Sequence, residues 1–251
     1  MVKQAADPSA MALARILDPK LSAQERDRSL DDIKRELTPE EVGRVRDLVS
    51  DRKLNLALRN DVLLLLEHQE RKLAWLGPEL VRMWKDEEEK EFWRDYTIQH
   101  MELVFDYAAN RDEIEATLKE VARGGGRVSG TALLSLERLG KRHPALGEEA
   151  RKIARQTVLA GDGDEKLDAE AAVTAMQVAR EAKDGAVLDT ARRLAADKDA
   201  LVRLRMSSIG TLGELGAQTD IELLERLTSD PEKRVNRVAK YNLARLKKKF
   251  R

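Results

Sequence analysis

Residues 197–216, DKDALVRLRMSSIGTLGELG, run into TDIELLERLTSD (219–230) and PEKRVNRVAKYNLARL (231–246). Apolar residues recur there at helical spacing, with short polar turns between the segments. Outward from this stretch the same signature returns at Leu58, Trp93, Val128, Leu167, Val202 and Val235, at intervals of 35, 35, 39, 35 and 33 residues. Four positions on stand Val62, Thr97, Ala132, Ala171, Met206 and Ala239; eight positions on stand Leu66, Met101, Leu136, Ala175, Gly210 and Leu243. A period in this range is that of stacked helix pairs. The expected fold is all-α, a right-handed α-α superhelix of about seven helix pairs.

Of the 251 residues 37% are charged, 14 are glycine and 6 proline, which suits an elongated helical array. The 46 basic and 46 acidic residues cancel, so no whole-molecule field steers the chain to nucleic acid or to an anionic membrane, and only local patches can. There is no cysteine, which removes disulfides, thiolate zinc sites and cysteine nucleophiles together. No segment approaches the ~18 apolar residues of a membrane span, and the start lacks the apolar core of an export signal. A cytoplasmic protein is the expectation.

Residues 1–9 read as a loose arm and 10–251 as a single solenoid. The punctuation predicts helices over 10–17, 22–37 and 39–49, then 54–70 pairing with 78–85. Thr38-Pro39-Glu40-Glu41 has an N-cap, a first-turn proline and a capping glutamate, and Ser229-Asp230-Pro231-Glu232 reads the same way. Gly124-Gly125-Gly126 and Gly161-Asp162-Gly163-Asp164 mark turns. The second has alternating carboxylates like those of a calcium loop, without its glycine-centred spacing or distant glutamate.

On these residues the chain resembles the HEAT repeats, including the variety called PBS-lyase-like, over roughly residues 20 to 250. That family's pattern places Asp in the turn and Val-Arg at the start of the second helix. Asp197 with Val202-Arg203 matches it, and Asp51 with Leu58-Arg59 and Asp86 with Trp93-Arg94 follow at a longer offset. The resemblance implies that these helices line a concave surface.

On an ideal helix, offsets two, six, nine and thirteen then point away from the buried stripe. Offset nine is Glu67, Glu102 and Glu137, a row of carboxylates; offset six is Leu64, Gln99, Leu134, Val173, Ser208 and Tyr241. Such a groove suits a protein or peptide with basic and apolar character. Seven of the nine aromatics lie between Trp75 and Tyr107, and within EFWRDYTIQHMELVFDY (91–107) the members least needed for packing are Asp95, Tyr96 and Gln99.

The expected function is a non-enzymatic adaptor using Glu67, Asp95, Tyr96, Gln99, Glu102 and Glu137, without catalytic residues, metal or cofactor. HEAT-like hydroxylases use repeated His-Glu pairs, whereas His68, His100 and His143 fall at unrelated offsets, none followed by Glu. HEAT-like DNA glycosylases use groove aromatics with an Asp, which Trp93 and Asp95 echo, but the glutamate row would repel phosphate. The rival classes are a HEAT-like enzyme, such as a chromophore lyase-like or DNA-modifying protein, and nucleic-acid binding through the C-terminal helix. Residues 234–251 hold eight basic side chains and no acidic one.

Overall fold

The computed structural model describes residues 7–160 and 168–251. Leu167, the Gly161–Asp164 turn and most of the expected N-terminal arm lie outside them. Every regular element among the described residues is helical: α1 (Pro8–Leu17), α2 (Ala23–Arg28), α3 (Pro39–Ser50), α4 (Leu56–Glu67), α5 (Leu76–Lys85), α6 (Glu91–Val104), α7 (Arg111–Arg123), α8 (Gly126–Leu139), α9 (Pro144–Leu159), α10 (Ala169–Glu181), α11 (Leu188–Ala196), α12 (Val202–Leu215), α13 (Asp220–Leu227) and α14 (Lys233–Lys249). The fold is an α-α superhelix of stacked helix hairpins. The chain divides into two compact units, Met1–Ile114 and Glu115–Arg251.

Five hairpins, α1/α2, α3/α4, α5/α6, α11/α12 and α13/α14, have connections of five residues each. In four of them the first helix ends on an Asp in extended conformation: Asp18, Asp51, Asp86 and Asp197. Each carboxylate accepts the amide two residues on, at 2.9 to 3.1 Å, which fixes the turn. Eight positions after each Asp comes an Arg. The Nε atoms of Arg26, Arg59, Arg94 and Arg205 donate to the carbonyls of Ile16, Val49, Trp84 and Ala195 at 2.7, 2.5, 2.9 and 3.3 Å. Those carbonyls belong to the last turn of the first helix, which has no partners within its own helix and welcomes positive charge. The second helix therefore caps the first.

This geometry corrects three expectations. Arg205, not Arg203, is the equivalent of Arg59 and Arg94; Arg203 is exposed and pairs with Glu170 at 2.6 Å. Residues 22–37 do not form one helix, because α2 stops at Arg28 and a 3-10 turn follows at Leu30–Asp32. Hairpins also begin one helix earlier than the period suggested, so α4 pairs with α3 rather than with the helix after it. The Thr38–Glu41 capping box forms as expected. At the last turn it does not: α14 starts after Glu232, whose own carboxylate accepts the Arg234 amide at 3.1 Å.

The cores follow the period. Leu58, Val62, Leu66, Trp93, Thr97 and Met101 are buried in the first unit, and Ala132, Leu136, Ala171, Ala175, Val235 and Ala239 in the second. The register slips in α12, where Leu204, Ser208 and Leu212 are buried while Val202 and Met206 are only half-buried.

Candidate functional site

In the first unit the expected outward glutamates point inward. Glu67 and Glu102 are 6% and 9% exposed. The reason is packing: an inner helix of a solenoid is flanked by its own partner and by a neighbouring inner helix, so its buried arc is far wider than a single stripe. Offset nine falls in that arc. Glu67 meets His100 across the α4–α6 contact, Nδ1 to Oε1 2.7 Å, and His100 Nε2 faces Asn60 Oδ1 at 3.0 Å. Both ring nitrogens are thus occupied within the protein. Burial, then the charge of Glu67, pushes the Tyr107 hydroxyl up to about 12. Nearby, burial and the facing Asp61 carboxylate raise Asp27 above the usual carboxylate range.

The remaining expected site residues are dispersed. Asp95 is half-buried; Gln99 is exposed; Tyr96 is 37% exposed and meets Trp93 edge to face, centroids 6.3 Å apart. Phe92, Tyr96, Gln99 and Leu103 share one exposed face of α6. Trp93 is fully buried with the Arg59 guanidinium 4.0 Å from its ring centroid, so it is a core residue and offers no groove aromatic. In the second unit Glu137 is half-buried, and burial raises its carboxyl despite Arg151 at 3.9 Å. Leu134 and Val173 are half-buried, Ser208 is buried, and Tyr241 stands 72% exposed.

Tyr241 lies on α14, whose eight cations sort into two groups. Arg245 pairs with Glu214 at 3.3 Å and Lys247 with Glu225 at 2.6 Å. Lys249 donates to the Glu214 and Gly216 carbonyls at 3.4 and 3.0 Å, capping α12, and Arg234 is held by Glu232. These are structural. Arg237, Lys240 and Lys248 are exposed, and among the described residues none has an ion-pair partner. With Lys233 and Tyr241 they fall within an arc of roughly 100° on one face of the helix, Lys240 and Tyr241 being adjacent and Lys248 two turns further on. The outcome is a cationic strip with an aromatic in its middle and no carboxylate on its own helix. From Arg237 to Lys248 it runs roughly 16 Å at ~1.5 Å per residue. Sequence reasoning noted the charge of this segment but could not separate the paired cations from the free ones.

Among the described residues no group of three His, Asp or Glu is arranged to hold a metal, and no helix is long and apolar enough to cross a membrane. No family model matches the chain, and no curated protein matches it in sequence. Among solved structures it is similar to that of human deoxyhypusine hydroxylase in complex with glycerol, with 15% identity over 96% of each chain and a TM-score of 0.42. The structure found similar is named for a hydroxylase, against the expectation of a non-enzymatic adaptor, and that expectation is corrected and not carried further. At such identity and score the likeness carries no substrate, metal or mechanism over to this chain. The burial of Glu67 and Glu102 independently removes the exposed carboxylate row on which the adaptor reading leaned.

Proposed function

We propose that this chain binds nucleic acid, using the exposed face of α14 as a phosphate track and Tyr241 as a stacking platform. The observation that supports it is the set of unpaired cations, Arg237, Lys240 and Lys248, on the same helical face as a tyrosine at 72% exposure. Free cations bind phosphate because counterions are released. Base stacking on an aromatic contributes about 1–3 kcal/mol and tolerates any base. A strip of roughly 16 Å tracks about five nucleotides at ~3.4 Å each along one strand. An exposed side chain can stack only on a base not already held in a duplex, so single strands are the favoured ligand. The objection that groove glutamates would repel phosphate loses force, since Glu67 and Glu102 are buried. A turn Asp followed by an arginine near the start of the second helix supports placing the repeats with the PBS-lyase-like variety, at eight residues rather than the six from Asp197 to Arg203.

The test is fluorescence anisotropy with a labelled twelve-nucleotide single strand across a salt series. Three cations neutralising three phosphates give a slope of log K on log salt near about −2, a loss of roughly twentyfold between 50 and 200 mM. Tyr241→Ala is expected to cost about 1–3 kcal/mol of binding without changing the melting temperature. Binding that ignores salt, or that survives R237A/K240A/K248A unchanged, would overturn the proposal. Recovering the oligonucleotide and resolving its length and base content reads, in the same tube, whether binding is coupled to a reaction.

A further inference from the structure

A second cationic feature lies elsewhere in the Glu115–Arg251 unit, in an open cleft of about 530 Å³ between α9 and the turn that follows α10. Four of its lining residues are basic, Arg151, Lys152, Arg155 and Lys183, and two are acidic, Glu148 and Asp184. The acids are already engaged. Glu148 accepts from Arg151 at 2.7 Å, and Asp184 accepts from Arg155 at 2.6 Å while its other oxygen takes the Ala186 amide at 3.1 Å. Lys152 and Lys183 are exposed and have no ion-pair partner among the described residues. The cleft therefore carries two uncompensated positive charges beside two arginines fixed in orientation. A volume of this size matches small-molecule sites, which run from about 300 to 1,000 Å³.

The backbone supplies the second, independent observation. Helix α10 ends in a Schellman turn, with Asp184 N–H bonded to the Ala179 carbonyl and Lys183 N–H to the Arg180 carbonyl, both at 2.9 Å. This turn requires a left-handed residue at the position of Lys183, normally glycine. Lys183 has φ 56°, and it is the one non-glycine residue with positive φ among the described residues. Glycine is available in the segment, at Gly185, but it does not occupy the position that would use it. A lysine held at a conformational cost, with its side chain lining a cationic cleft, is the pattern expected when the side chain serves a ligand.

We infer that this cleft binds a small phosphorylated molecule, with Lys152 and Lys183 taking the phosphoryl oxygens and Arg151 and Arg155 setting the orientation. Oligophosphate is favoured over a single carboxylate because several separated cations converge and each needs its own acceptor. The site shares no residue with α14 and does not depend on nucleic-acid binding.

Isothermal titration of the full chain with inorganic tripolyphosphate, and separately with adenosine diphosphate, tests this. Saturable binding of either supports the site, and the stronger of the two tells whether phosphate alone or a nucleoside phosphate is read. Lys183→Gly is the decisive variant: relief of the left-handed lysine raises the melting temperature, so lost binding cannot be ascribed to misfolding. Its affinity is expected to fall at least tenfold, and Lys152→Gln to act in the same direction. Absence of heat at millimolar concentrations of both probes overturns the inference, as does an affinity untouched by Lys183→Gly. R237A/K240A/K248A is expected to keep its tripolyphosphate affinity; loss there would place the anion on α14 and overturn the cleft.

Discussion

Replacing Glu89 by leucine should be among the most damaging single changes in the first unit. Arg59 is 0% exposed and Glu89 4%, and the guanidinium reaches the carboxylate through two hydrogen bonds of 2.9 and 2.5 Å. Its Nε caps α3 at Val49, and its face lies against Trp93. Without Glu89 the cation stays buried with one carbonyl and a ring. The ring contact, worth about 2 kcal/mol or more when desolvated, is present with or without Glu89 and does not replace it, whereas an unpaired buried charge left by removal of its partner costs about 3–5 kcal/mol. For a unit of this size that is a fall in melting temperature of more than ~10 °C. All three tryptophans, Trp75, Trp84 and Trp93, lie in the Met1–Ile114 unit, so tryptophan fluorescence in a urea titration reads that unit alone, while far-ultraviolet circular dichroism reads both. A fluorescence midpoint shift worth less than about 1 kcal/mol, the scale of an exposed pair, would refute the reasoning. Combining Glu89→Leu with Arg59→Met should recover most of the loss, short of the bond to Val49, because a buried pair exchanged for apolar groups is often nearly neutral.

In the second unit, Gly213→Ala should cost about 1–3 kcal/mol by overpacking, since a Cβ there would lie 2.5 Å from Asn242 Cβ where α12 meets α14. The loss should show in circular dichroism while tryptophan fluorescence stays unchanged. Acid stability should carry the signature of Glu41, whose carboxyl is held down to about 2 by Arg35 and the Thr38 cap. Its folded value lies below the ordinary one of 4.5, so its contribution is complete above about pH 4.5 and is lost as the pH falls toward 2. Glu41→Gln should flatten the stability curve across that window; an unchanged curve would dissociate the pair from folding.

The fold was legible because stacking neighbours demands small or apolar residues at fixed offsets, and that demand is written in Val62, Thr97, Ala132, Ala171 and Ala239. The phase of the hairpins was less so. It is set by Asp18, Asp51, Asp86 and Asp197 and the Arg eight residues beyond each, a pattern visible in the chain but obscured by Arg203 standing two places before Arg205. The site was harder still. Offset arithmetic treats a helix as having one buried side, and Glu67 and Glu102 lie where a second neighbour closes over them. Whether a cation is free depends on what lies across from it: Lys247 and Lys248 are adjacent in sequence, yet Glu225 engages only the first. Lys183 carried no sequence signal, since a left-handed lysine looks like any other.

The Arg-to-carbonyl cap also has a consequence for insertion. It requires a fixed count of residues between the turn Asp and the second helix, so lengthening the connections at residues 18–22, 51–55, 86–90 or 197–201 would pull the guanidinium off its carbonyl. The connection between α9 and α10 runs nine residues, not five, and among the described residues no arginine of α10 reaches back to α9 at the equivalent place, since its fourth residue is Ala172 where Arg26, Arg59, Arg94 and Arg205 stand in theirs. A tag, a fluorophore-bearing peptide or an entire reporter domain inserted after Asp51, Asp86 or Asp197 would disassemble the module that carries it.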